Sequence, residues 1–180
     1  MVLNARYDMQ WRHADNWNDA SSLIDMTLAA LKPYQERRDN ILAPGTMAMF
    51  CLAEHPLSDG AEGDSTLLVS ANSNTGFGAL IWYLADGNPL KRGIFEHAWI
   101  SDNPQPPEFD PRVVSDSGYP LFHDRASTLP ISKVRAALEE FARTGTGERP
   151  ECISWTLGNI DGQRHDRAPI WEFDEEETPF

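Results

Sequence analysis

One amphipathic helix running into one alternating strand, both between Ser127 and Trp155, limits what this chain can fold into more than any other stretch does. Val134, Ala137, Leu138 and Phe141 fall at i, i+3, i+4 and i+7, a single apolar stripe, while Lys133, Arg135, Glu139, Glu140 and Arg143 occupy the other side. Ser132 is placed to cap the first free amides, Pro130 lies in the entering chain, and Gly145 suits the left-handed residue that ends a helix. The pattern predicts a helix from Ser132 to Thr144. Pro150 then blocks further helix, and Cys152, Ser154 and Thr156 alternate with Ile153, Trp155 and Leu157, the period of a half-buried strand. A helix with one apolar stripe and a strand with one apolar face must each lie against a second layer.

Other strand signals extend that layer into a sheet. Tyr7, Met9 and Trp11 alternate with polar neighbours and predict a first strand from Ala5 to Trp11. Asn18 or Asp19 is placed to cap a helix in which Ile24, Leu28 and Leu31 line one face, flanked by Leu23 and Thr27, until Pro33 stops it. Pro44-Gly45 marks a turn before a strand from Thr46 to Ala53, whose continuous apolar run suits a central strand covered on both sides. Strands from Ser65 to Ala71 and Phe77 to Ala85 flank Asn72-Ser-Asn-Thr-Gly76, and Gly93 to Ile100 reads as a fourth strand of the same meander. Ser101 to His123, with five prolines, reads as a surface loop, and Ala168 to Phe173 as a last edge strand. The expected class is α+β: a mostly antiparallel sheet of about five to seven strands with two helices packed on one face.

At 180 residues the chain is expected to be one domain, 1–180, with an acidic tail at 174–180. Six Trp and eight Phe supply a large core, so Cys51 and Cys152, isolated in sequence, read as small apolar core residues in a reducing compartment. Trp11, Trp82, Trp99 and Trp155 fall within strand patterns and read as core, whereas Trp17 and Trp171 lie near element ends. No basic-then-apolar leader and no run of about 18 apolar residues is present, so a cytoplasmic protein with no membrane partner is expected.

The formal charge of −13 is uneven. Residues 46–128 carry four bases against eleven acids and residues 171–180 none against five, while residues 129–170 balance at six and six. A field of that sign repels nucleic acid and draws basic partners.

Catalytic patterns are missing. His13, His55, His97, His123 and His165 are scattered, with no pair at helical ligand spacing. Gly76-Phe77-Gly78 lacks the third glycine and the following helix of a dinucleotide loop, and no nucleophile elbow, phosphate-binding lysine loop or zinc-deaminase pattern occurs. No cofactor, no metal and no catalytic residue is expected. A small enzyme or ligand-binding domain with a site assembled from distant loops stands as the alternative.

The order Leu-Pro-Ile-Ser, Val-x-x-Ala-Leu-x-x-Phe, Thr-Gly, Arg-Pro, Ile-x-Trp between Leu129 and Trp155 resembles the C-terminal signature of bacterial polymorphic-toxin immunity proteins, immunity family one. Gly76-Phe-Gly-Ala-Leu-Ile-Trp82 is similar to that family's central glycine-aromatic strand, and Asp116-Ser-Gly-Tyr-Pro-Leu-Phe122 to the loop entering its helix. The resemblance implies a non-enzymatic protein that binds and neutralises a cognate toxin, of the nucleic-acid deaminase class, by covering its basic substrate-binding face. The partner would then be a basic toxin domain, and no nucleic acid. Partner-binding candidates are Trp171, Glu172, Asp174, Glu175, Glu176 and Glu177 of the tail, with Glu108, Asp110 and Asp116 of the long loop.

Overall fold

The computed structural model describes residues 1–33, 45–61, 63–89, 91–116 and 121–168. It begins with a hairpin where the alternation predicted one strand: β1 (Val2–Tyr7) turns through Asp8 and Met9 into β2 (Gln10–Ala14). Both turn residues hold left-handed backbone, at φ 50° and 59°, as a two-residue hairpin turn requires. Asp-Met does not announce that turn as Asn-Gly would, so the run Tyr7, Met9, Trp11 reads straight through it. α1 (Trp17–Ala30) is capped by Asn16, whose Oδ1 accepts from Asp19 N at 3.1 Å, two and three positions ahead of the expected caps Asn18 and Asp19. It buries Ala20, Leu23, Ile24 and Thr27.

β3 (Met47–Ala53), β4 (Ser65–Asn72), β5 (Phe77–Leu84) and β6 (Ala98–Asp102) follow. The predicted strand at Gly93 to Ile100 survives only in its second half. Gly93, at φ 56°, opens a 3-10 turn over Gly93–Glu96 in place of the first half. β7 (Val114–Asp116) and β8 (Leu121–Phe122) form a separate two-stranded ribbon, and β9 (Leu129–Pro130) leads into α2 (Ile131–Thr144). Pro130, not Ser132, sits at the N-cap position and gives no side-chain cap, while Gly145 ends the helix at φ 64° as expected. β10 (Ser154–Gly158) closes the described sheet.

All these pairings are antiparallel, in the order β10-β6-β5-β4-β3-β1-β2, with β9 joined to β5. This is the α+β class read from the sequence. Leu3, Phe50, Leu52, Leu67, Val69, Leu80 and Trp82 meet Ile24 of α1 and the α2 stripe in one core. Val134, Ala137, Leu138 and Phe141 are all buried, so the predicted stripe is the packed face. The opposite sheet face is closed in part by loops and by a smaller cluster of Ile81, Ala98 and Ile100.

The long loop is more deeply anchored than its composition implies. Val113, Ser115 and His123 are buried, and Asn72 Nδ2 donates to the Pro111 carbonyl at 2.8 Å. Proline and acid dominate the composition, yet a few interior residues suffice to pin the segment. The expected strand at Ala168 to Phe173 lies beyond the described residues except for Ala168.

Candidate functional site

The helices cover β1 and β3 to β5, and a loop takes over where they end. Trp99 of β6 and Trp155 of β10 are half-buried and pack at the margin of the helix-side core. Residues 145–152 lie over them, held by indole N–H groups: Trp82 Nε1 donates to the Gly147 carbonyl at 3.0 Å, and Trp155 Nε1 to the Pro150 carbonyl at 2.7 Å. Gly147 has φ 76°, and a Cβ there would stand 2.4 Å from Ser65 Oγ, so close approach to β4 requires glycine. The Gly-rich connection between helix and strand is therefore a fixed wall.

Beside that wall lie two adjoining concavities of about 630 Å³ and 370 Å³ that share Phe95, Thr146 and Glu148. Phe95, in the 3-10 turn, is 37% exposed and stands edge-on to Trp82 at 5.9 Å between centroids. Trp155, Ile153 and Pro150 line the larger hollow, and Asp64 borders the smaller.

Three glutamates and one arginine set the charge of this cleft. Glu140 accepts from the Glu151 and Cys152 amides at 2.7 and 3.0 Å. Partial burial pulls its pKa up, but the Cys152 thiol and these two amides together hold it below the ordinary carboxylate value. The same neighbourhood acts oppositely on Cys152, whose thiol is pushed up to about 12 by burial first, then by the hydrogen bond and charge of Glu140. Glu148 and Glu151 are exposed and have no ion pair among the described residues. The Arg149 guanidinium lies 3.9 Å from the Trp99 ring centre and 5.9 Å from that of Trp155, a cation–π stack. Burial lowers its pKa against the opposing field of Glu151. Its Nη1 is buried without an acceptor among the described residues.

The residues picked from the sequence are not gathered into one site. Glu108 and Asp110 are exposed on the loop after β6, ordered by Arg125 donating to the Glu108 carbonyl at 3.1 Å and by Asp110 Oδ1 accepting from Arg112 N at 2.9 Å. Phe109 between them is 51% exposed, edge-on to Phe77. Asp116 is half-buried on a different element, β7. Trp171, Glu172, Asp174, Glu175, Glu176 and Glu177 lie outside the described residues. Cys51 is buried as expected, but Cys152 is exposed, because the residues just before β10 stand out toward Glu140. Trp82 is core, whereas Trp11, Trp99 and Trp155 are only half-buried.

The cleft was hidden by the balanced charge of residues 129–170. Arg135 pairs with Asp25 and Glu139, Arg143 lies over Trp17, and Arg164 is held by Asp102 and Asp166, which leaves Glu148 and Glu151 without an ion pair among the described residues and with only Arg149, stacked on Trp99, near Glu151. The available signal was the acid-base-Pro-acid string Glu148 to Glu151 directly before the Trp155 strand.

The helix-free sheet face carries a second groove. Met49, Thr66 and Tyr83 floor a concavity of about 460 Å³ that continues past Arg6 toward Met47 and Leu68. Its bases are matched in place: Arg6 pairs with Asp59 at 3.7 Å and Lys91 with Asp86. Among the described residues, no three His, Cys, Asp or Glu side chains converge as metal ligands, and no helix is long and apolar enough to cross a membrane.

A family model described as Immunity protein Imm1 matches residues 12–157, from β2 through most of β10. No curated protein and no solved structure matches. The chain belongs to the Imm1 immunity-protein family.

Proposed function

We propose that this protein acts in the cytoplasm of a toxin-producing bacterium, where it binds the toxin domain encoded beside it and blocks that domain without catalysis of its own. The family match over residues 12–157 carries this reading. The finer part is that the toxin is a nucleic-acid deaminase and that its basic substrate face is what becomes covered. The charge of −13 supports it, since a protein that competes with nucleic acid for a basic face gains from presenting carboxylates there. In this reading the acids Glu108, Asp110 and Asp116, with Glu172 and Asp174 to Glu177 of the tail, supply the outer attracting field, and Trp171 contacts the partner.

Titrating purified protein into a deamination assay of the toxin domain tests the proposal. Stoichiometric loss of turnover is expected. Full activity in the presence of excess protein overturns the immunity reading. Inhibition of a toxin that does other chemistry on its target overturns the deaminase part alone.

A further inference from the structure

We infer that the cleft between Phe95 and Trp155 seats a Lys or Arg side chain of the toxin domain; this rests on the immunity reading above. The two adjoining hollows form a concave, aromatic-walled surface. Glu148 and Glu151 at its mouth have no ion pair among the described residues, and Asp64 adds a third carboxylate at the far side. A cation entering there gains charge pairing with the acids and the faces of Phe95 and Trp155. Lysine and arginine are the cations that a basic nucleic-acid-binding surface presents.

Arg149 is held against the Trp99 ring and makes no ion pair with Glu148 or Glu151 among the described residues, so both carboxylates keep room for a partner's cation. The wall is also rigid: two indole-to-carbonyl bonds fix residues 147 and 150, so little ordering entropy is spent on binding.

The helix-free groove lacks this selectivity. Arg6 and Lys91 there are already neutralised by Asp59 and Asp86, so its charges prefer no sign of partner.

Binding kinetics of the toxin domain against wild type, Glu148→Lys/Glu151→Lys, Phe95→Ala and Glu108→Lys decide the matter, with melting curves for each. None of these side chains is core or carries a hydrogen bond that holds the loop, so every variant should fold, with only small melt shifts for Phe95→Ala and for the change at Glu151 beside Arg149. Charge reversal in the cleft should weaken the complex by about 100-fold, mostly through faster dissociation, and Phe95→Ala by about 10-fold, as central hot-spot truncations do. Glu108→Lys should act mainly on association. If wild type binds and the cleft variants bind as tightly, the cleft proposal falls while the immunity reading stands. If wild type itself fails to bind, the immunity reading falls. If Glu148→Lys/Glu151→Lys binds more tightly, the cleft receives an anion through Arg149 and the inference is overturned.

Discussion

The helix layer closes over β1 and β3 to β5 with two apolar stripes, whereas over β6 and β10 the same layer is continued by a loop held through two indole N–H groups and one stacked guanidinium. The first closure buries its central side chains. Phe50, Trp82, Phe141 and Leu138 are essentially fully buried there. The second leaves Trp99, Trp155 and Phe95 partly open and keeps a concavity. Area burial makes the stable half; hydrogen bonds to a few carbonyls make a half that is shaped but still accessible. A binding surface needs the latter, because a surface already dry and filled has nothing to offer a partner.

The difference is tested most strongly by truncating one side chain on each side. Leu138→Ala should cost about 2 to 5 kcal/mol, since it opens a cavity under α2 where the sheet cannot follow. Phe95→Ala, at the open flank, should cost less, about 1 to 2 kcal/mol, because the residue is already 37% exposed. Denaturant melts measure both. A cost below about 0.5 kcal/mol for Leu138→Ala would place the stripe in solvent, against its burial, and near-equal costs would erase the contrast between the two halves.

A second contrast is between the two sides of the flank itself. Away from the cleft, directly after β8 of the two-stranded ribbon, His123 is buried with neither ring nitrogen hydrogen-bonded among the described residues, and burial lowers its pKa from 6.5 to about 3. The neighbours that face it are Ser115 of β7, whose hydroxyl is likewise unpartnered, and the backbone at Gly162. Above pH 6.5 the ring is neutral in folded and unfolded chains and contributes no slope. As pH falls from there toward about 3, the unfolded chain takes a proton that the folded one refuses, so stability drops by up to about 1.4 kcal/mol per pH unit. Below about pH 3 both states are protonated at this residue and its contribution levels off. His123→Gln should flatten this part of a stability-against-pH series; an unchanged slope would assign it to carboxylates elsewhere.

Legibility in the sequence divides along the same line. α2 and its glycine terminus could be read because one periodicity and one breaker residue agree with tertiary burial, and β10 because Pro150 and the apolar run announce a strand, although its burial does not alternate. The β1–β2 turn could not, because Asp8 and Met9 adopt left-handed backbone without the glycine that signals it. Nor could the cap of α1, since Asn16, Asn18 and Asp19 are equally suited by type and only the packing of Ala20 and Ile24 sets the register. The cleft was invisible for another reason. Which acids remain free depends on which arginines are already engaged, and that is decided by segments as far apart as Asp25 and Arg135. A resemblance to the immunity family was legible around Leu129 to Trp155, and the family match extends it back to residue 12.

The hydrogen bonds that hold the flank can be removed singly. Trp155→Phe keeps the ring face but deletes the donor to Pro150 and should cost about 1 to 2 kcal/mol, since the bond is only part-buried, beside a half-buried ring. Trp82→Phe should cost more, because Trp82 is 1% exposed and the Gly147 carbonyl it serves is buried with it. Equal costs would mean that the loop is held by its apolar contacts alone, and the two closures would then differ in degree and not in kind.

The smallest effect is expected where the chain carries most acid for its length. Glu172, Asp174, Glu175, Glu176 and Glu177 have no base among the last ten residues, so their use is at long range. A charge at the rim of an interface acts on how often partners meet, while a group seated inside acts on how long they stay. Replacing these five residues with Gln and Asn should therefore slow association by roughly 3- to 10-fold in weak salt, leave dissociation unchanged, and lose its effect as the screening length falls to about 8 Å at physiological ionic strength. Folding stability should not move. Stopped-flow association across a salt series, run beside the Glu148→Lys/Glu151→Lys cleft variant, separates the two roles on one plot. The cleft variant should raise dissociation at every salt concentration, and the tail variant should converge on wild type as salt rises. If the tail variant instead dissociates many-fold faster, the tail is part of the seat, and the division between an attracting periphery and a holding cleft is wrong.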